Sequence, residues 1–192
     1  VVPGATAATD AAVWKIDGVT GTFAPGYGTD GLLQVTDPVG RAGALHGIAA
    51  GKRTDGVGRV VAVGTLHDNA AASDFAAVLV RNESDGAEDD VYVPRPVRYN
   101  ETATAFATDG LPASEANTAL LAPNDVIYVG GSIWGSAQTN GIDDVRDEVA
   151  LRFDATGALT HDQPHGSLPE GGFGGRDRFN FLTLDLEGRL IA

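Results

Sequence analysis

The sequence contains no cysteine and no methionine. The first absence removes disulfides, thiolate nucleophiles and cysteine-ligated zinc together. The second, in a chain that begins Val-Val-Pro, leads us to expect a processed or partial chain. Positive charge is scarce: 13 Lys and Arg stand against 26 Asp and Glu, a formal net charge of -13. Such a chain repels phosphate backbones and anionic lipid surfaces, which excludes nucleic acid as a main partner. No apolar run approaches the roughly 18 residues of a membrane span, so we expect no membrane insertion by the visible chain. Long helical periodicity is missing too.

What fills the chain instead is 26 glycines, nine prolines and short runs rich in Val, Ile and Leu. Short apolar runs bounded by turn residues read as strands, so the expected fold class is all-β. At 192 residues the chain is long enough for a single domain that buries roughly 70% of its unfolded surface.

Strands are expected at Val13–Ile16, Leu32–Val35, Ala44–Ala49, Val60–Val63, Phe75–Arg81, Val126–Val129, Val149–Phe153 and Phe179–Asp185, with a last one at Arg189–Ala192. That last strand lacks an evident partner. Between the first two, Phe23 and Tyr27 read as aromatic anchors among glycines. Pro94 and Pro96 confine the run VYVPRPVRY to a sheet edge or a bulge, because proline donates no ladder bond. Ser114–Ala122 fits a short helix or a strand, and we favour the strand.

Self-comparison reveals an internal repeat. Gly64 and Gly130 stand 66 residues apart, Arg81 and Arg152 stand 71 apart, and Arg59 and Arg189 stand 130 apart. A period near 65 with about four strands fits four-stranded blades that cover one another's faces. Approximate repeats are 13–74, 75–148 and 149–192, with 1–12 completing the last. Joining the two ends, GRLIA followed by VVPGATAATDAAVWKIDGVTG, reproduces GRVVAVGTLHDNAAASDFAAVLVRNESDG with a shorter loop. On this reading Arg189–Ala192 and Val13–Ile16 form one sheet.

The runs FAAVLVRNESDG, GTFAPGYGTDGLLQV and GRVVAVG resemble the delta-sixty repeat family, in about three degenerate copies that cover nearly the whole chain. The second copy lacks the family's TFG-type turn, and the third replaces it with 160–174. The resemblance implies β-propeller blades and a bacterial surface, periplasmic or secreted setting, and it implies no catalytic residues.

The residues themselves point weakly to chemistry. Gly26-Tyr27-Gly28-Thr29-Asp30-Gly31 matches a dinucleotide-binding spacing, but a strand follows it where a helix is needed to receive the pyrophosphate, so it reads as a turn. His161 and His165, around Asp162 in THDQPH, form a candidate metal pair if that polar loop folds back. Asp143, Asp144 and Asp147 with Glu148, and Glu88-Asp89-Asp90, offer hard oxygen ligands for calcium without EF-hand spacing. No nucleophile elbow occurs, and Ser132 in GGSIWG has the wrong spacing for one. His46 reads as a half-buried strand residue and His67 as a loop residue. Asn82 and Asn100 begin glycosylation sequons of the kind that chance supplies. Trp14 reads as a core or anchoring residue, and Trp134, amid Gly and Ser, as a candidate partner-contact residue.

These observations lead us to expect a non-enzymatic, extracytoplasmic β-propeller-like subunit without catalytic or cofactor-binding residues, working through a protein partner or self-assembly. The alternatives are a propeller enzyme of lactonase, lyase or glycosidase type with an axial metal, and a calcium-stiffened adhesin repeat.

Overall fold

The computed structural model describes residues 11–35, 42–68, 73–87, 95–97, 113–134, 146–157, 159–165 and 179–192. Twelve strands account for most of them: β1 (Ala11–Trp14), β2 (Leu32–Val35), β3 (Ala42–Lys52), β4 (Gly58–Asp68), β5 (Ser73–Asn82), β6 (Arg95–Val97), β7 (Ala113–Leu121), β8 (Ile127–Trp134), β9 (Arg146–Phe153), β10 (Leu159–His165), β11 (Thr183–Leu184) and β12 (Leu190–Ile191). The fold is all-β, and every sheet is antiparallel.

Among the described residues two sheets have four strands in sequence order, β3-β4-β5-β6 and β7-β8-β9-β10, and two have a pair, β1-β2 and β11-β12. The proline-bearing run forms the edge strand β6, where Pro96 sits opposite Ala77 and its missing N–H faces no further strand. Of the run Ser114–Ala122, all but Ala122 lies in strand β7 and not in a helix.

Three expectations are corrected. The polar segment THDQPH belongs to the edge strand β10 and is not a turn, because β9 pairs with it from His161 to His165 beyond an irregularity at Thr160. Arg189–Ala192 is not without a partner, since Leu190 pairs with Leu184 and Ile191 with Thr183. Nor do the chain's two ends share a sheet: β1 pairs with β2 and β12 with β11.

The sheets stack face on face. Val61, Val63, Ala76, Val78 and Val80 form one face of the β3–β6 sheet and pack against Ala116, Ile127, Val129, Leu151 and Phe153 of the β7–β10 sheet. The opposite face, through Ala62 and Leu79, packs against Val13 and Tyr27 of the β1-β2 layer. At the other end Phe179 and Leu182, which lead into β11, lie over Gly130 of β8, and the Phe179 N–H donates to the Gly131 carbonyl at 3.2 Å. This stacking explains why β4 reads RVVAVG and not as a clean alternation. A strand covered on both faces is apolar at consecutive positions, and Val60 to Val63 are all buried.

β7 lies across β3, β4 and β5, and it comes closest at two bulges. Pairing slips by one residue at His46 in β3 and again at Asn117 in β7. Gly47, next to the first bulge, faces the backbone of Asn117 and Thr118 so closely that a Cβ there has no room. Each bulge also pushes a carbonyl, that of Ala44 or Glu115, into the space a side chain would take at Gly64 or Gly131. The bulges therefore align Gly64 with Gly131, and not with Gly130 as the sequence spacing suggests. The difference of one residue matters, because in a strand it exchanges the two faces.

Candidate functional site

A groove of about 240 Å³ lies between β1 and β3. Ala12, Val13 and Trp14 form one wall, Leu45, His46, Gly47 and Ile48 the other, and Ala62 of β4 the floor. It exists because the β1-β2 layer is two strands wide and rests on a sheet four strands wide. Trp14 and Ile48 remain 54% and 59% exposed on its rim.

Trp14 is thus neither core nor anchor, in contrast to its sequence reading, because no layer covers the outer side of β1 among the described residues. Phe23 is corrected in the same way. It bridges to Ile16, and both are more than half exposed. Tyr27 does anchor the layer, at 1% exposure. The GYGTDG segment around it is a chain of turns leading into β2, so the turn reading of that motif holds.

Several polar groups lie on or beside the groove. His46 is exposed, not half-buried, and its Nε2 lies 3.1 Å from the Thr65 hydroxyl. The β1-β2 layer is tied down by Lys15, whose ammonium donates to the Glu83 carbonyl at 2.8 Å, pairs with the Glu83 carboxylate and lies 5.8 Å from the centre of the Tyr27 ring. The Tyr27 hydroxyl is buried with no hydrogen-bond partner among the described residues. Burial raises its pKa above the ordinary phenol value; the charge of Arg81 works against this rise, while that of Glu83 adds to it.

A second polar cluster joins the two large sheets. The Asp125 carboxylate, on the turn between β7 and β8, accepts the Thr54 N–H at 3.0 Å and the Thr54 hydroxyl at 2.7 Å from the turn between β3 and β4. Partial burial disfavours the charge of Asp125, but the Thr54 hydrogen bonds and the nearby positive charges of Arg59 and Arg53 outweigh it. Its carboxyl consequently titrates below the usual range. Arg59 itself is fully buried at this junction, a feature that the sequence did not announce.

The residues singled out from sequence fall elsewhere. Asp143, Asp144 and Glu88 to Asp90 lie outside the described residues, as does Asn100. Trp134 ends β8, opposite Ala113 and Arg146, and Asp147 lies on β9 opposite Ile133; only their backbones are described. His161 and His165 sit on β10 opposite Arg152 and Glu148. An extended strand sets those two positions about 13 Å apart, so the loop that was to fold them around one ion is not formed. His67 belongs to β4 and not to a loop. Ser132 is fully buried inside β8 and donates to the Glu115 carboxylate at 3.2 Å. Among the described residues no group of three or more His, Asp or Glu side chains is placed to hold a metal.

Comparison of the chain with protein-family models, with curated proteins and with solved structures gave no match.

Proposed function

We propose that the chain is a non-enzymatic structural or protein-interaction subunit made of stacked, propeller-like β-layers, and that its contacts are made through the outer layers. The observation that carries this reading is where large apolar side chains meet solvent. Trp14, Ile16 and Phe23 belong to the β1-β2 layer, and Phe181, Leu186 and Ile191 to the segment around β11 and β12; all six are at least half exposed. Exposed apolar groups gathered at both ends of a stack mark surfaces that another protein covers. The extracytoplasmic setting rests on the resemblance to the delta-sixty repeats and on the acidic, cysteine-free composition. The enzyme and calcium-adhesin alternatives rest on His161, His165, Asp143, Asp144 and Asp147, and no described geometry favours them.

Light scattering over a wide concentration range tests the proposal. The chain should associate with itself or with a captured partner, and Trp14→Glu combined with Phe23→Glu should abolish that association while leaving the melting temperature nearly unchanged. Catalytic turnover that survives this double substitution and is lost in His46→Ala would overturn the reading in favour of an enzyme.

A further inference from the structure

The two narrow layers each share features with one half of the β3–β6 sheet. β1 and β2 carry the features of a third and fourth strand. Ala11, Ala12 and Val13 pair with Val35, Gln34 and Leu33, and Ala76, Ala77 and Val78 of β5 pair with Val97, Pro96 and Arg95 of β6 in the same arrangement. The turns that follow β1 and β5 match bond for bond. Gly21 N–H donates to the Asp17 carbonyl and Asp17 N–H to the Thr22 carbonyl, each at 2.9 Å; Gly86 donates to Asn82, and Asn82 to Ala87, at the same distance. Both glycines have positive φ, 71° and 77°. Val13 faces the β3–β6 sheet just as Val78 faces the β7–β10 sheet, so the stacking direction also agrees.

β11 and β12 carry the features of a first and second strand. They follow β10, which closes the preceding sheet, and Gly-Arg-Leu-Ile-Ala at 188–192 corresponds to Gly-Arg-Val-Val-Ala at 58–62 in β4.

Backbone directions support the match on both sides. Lys15 N–H donates to the Gly31 carbonyl, so by alternation Ala12, Trp14 and Ile16 turn their N–H and C=O groups to the other edge of β1, which has no neighbouring strand among the described residues. Asp185 N–H donates to the Arg189 carbonyl, which leaves Leu190 and Ala192 facing the edge of β12 that likewise has no neighbouring strand among the described residues. In the intact sheet Glu83 N–H donates to the Gly58 carbonyl, and the same parity joins β4 to β5.

We propose that β12 of one copy of this chain pairs antiparallel with β1 of a second copy, giving a sheet of order β11-β12-β1-β2 that repeats the order β3-β4-β5-β6. This rests on the reading of the chain as a stacked interaction subunit and names its partner. The register follows from β4 and β5: Arg189 opposite Asp17, Leu190 opposite Ile16, Ile191 opposite Lys15 and Ala192 opposite Trp14. Arg189 and Asp17 then bring opposite charges together across the join. Ile191 corresponds to Val61, which is fully buried between the two large sheets, and its side chain enters the groove beside Leu45, Ile48 and Ala62. The contact uses different surfaces on the two copies, so it propagates head to tail and yields a ladder of oligomers or a ring.

Because the chain has no cysteine, the register can be read by cross-linking. Ile191→Cys is mixed with Lys15→Cys under mild oxidation, and the expected product is a disulfide-linked pair, since directly opposite strand residues lie within disulfide reach. Leu190→Cys with Ile16→Cys is a second pair that leaves Lys15 in place. The yield in either mixture should exceed that of Ile191→Cys with Val19→Cys by at least about tenfold, because Val19 lies off the register. Trp14→Pro, which removes one N–H from the edge of β1 away from β2 and none from the β1-β2 ladder, should weaken self-association of the otherwise native chain by about tenfold or more. Association that persists in Trp14→Pro without cross-linking at either pair would overturn this edge pairing and leave the broader interaction reading standing. A Lys15→Cys, Ile191→Cys double variant that closes on itself as a monomer would also overturn it. Absence of any association at high concentration would sink both.

Discussion

The two junctions in the stack differ in how completely they close. Among the described residues, ten buried apolar residues form one cluster between the large sheets, two bulges meet backbone to backbone at Gly47, and Thr54 and Asp125 clasp the turns at one end. Between the β1-β2 layer and the β3–β6 sheet the described cluster has four buried residues, a lysine and a carboxylate do part of the holding, and a groove stays open. The same strand chemistry thus gives a sealed joint where the covering sheet is four strands wide and an unfinished one where it is two. Width of the covering layer decides which apolar residues meet water.

The largest way to break this contrast is Ile127→Ala. It removes a fully buried side chain from the closed junction and is expected to cost about 3 kcal/mol in denaturant unfolding. Val13→Ala in the open junction should cost about 2 kcal/mol, and hydrogen exchange should show the loss concentrated in β1 and β2 while β4 and β8 stay protected. Equal losses of protection in all four strands would show that the narrow layer folds as one unit with the rest. Thr54→Ala should cost about 1 kcal/mol through loss of the hydroxyl's hydrogen bond to Asp125, the backbone N–H bond being retained.

The pH dependence of that clasp has a definite sign. The carboxyl of Asp125 titrates lower in the folded chain than in the unfolded one, so its contribution is present above the unfolded value near about 4 and is lost as pH falls through the lower folded value. Unfolding curves of Thr54→Ala should therefore lose less stability than the parent on acidification across that window. The smallest effect is expected for Tyr27→Phe: with no described partner for the hydroxyl, stability should stay within about 1 kcal/mol or rise. A loss well beyond that would mean that the hydroxyl is bonded.

Much of the fold was legible locally. Leu32–Val35 is β2 to the residue, Pro96 marked an edge strand, and Asp-Gly and Asn-Asp pairs marked turns, because steric and hydrogen-bonding preferences of this kind act within a few residues. The candidate site was much less so. Trp14 and Phe23 have the composition of core residues, and nothing near them in sequence tells that the layer they belong to is only two strands wide. The polar run 159–165 carries little strand propensity, yet β9 holds it in a ladder. Gly130 was matched to Gly64 by spacing, and only the bulges showed that Gly131 is its counterpart.

The sequence by itself determined that this chain is all-β, where its principal strands and turns fall, and that its two ends resemble the strands of one interior sheet. Tertiary structure alone decided that those ends lie in separate layers at opposite ends of a stack, that Arg59 is buried at the closed junction, and that Trp14 and Ile48 border an open groove. The physical reason is that a strand's backbone preference is local, whereas the covering of its two faces depends on residues scores of positions away.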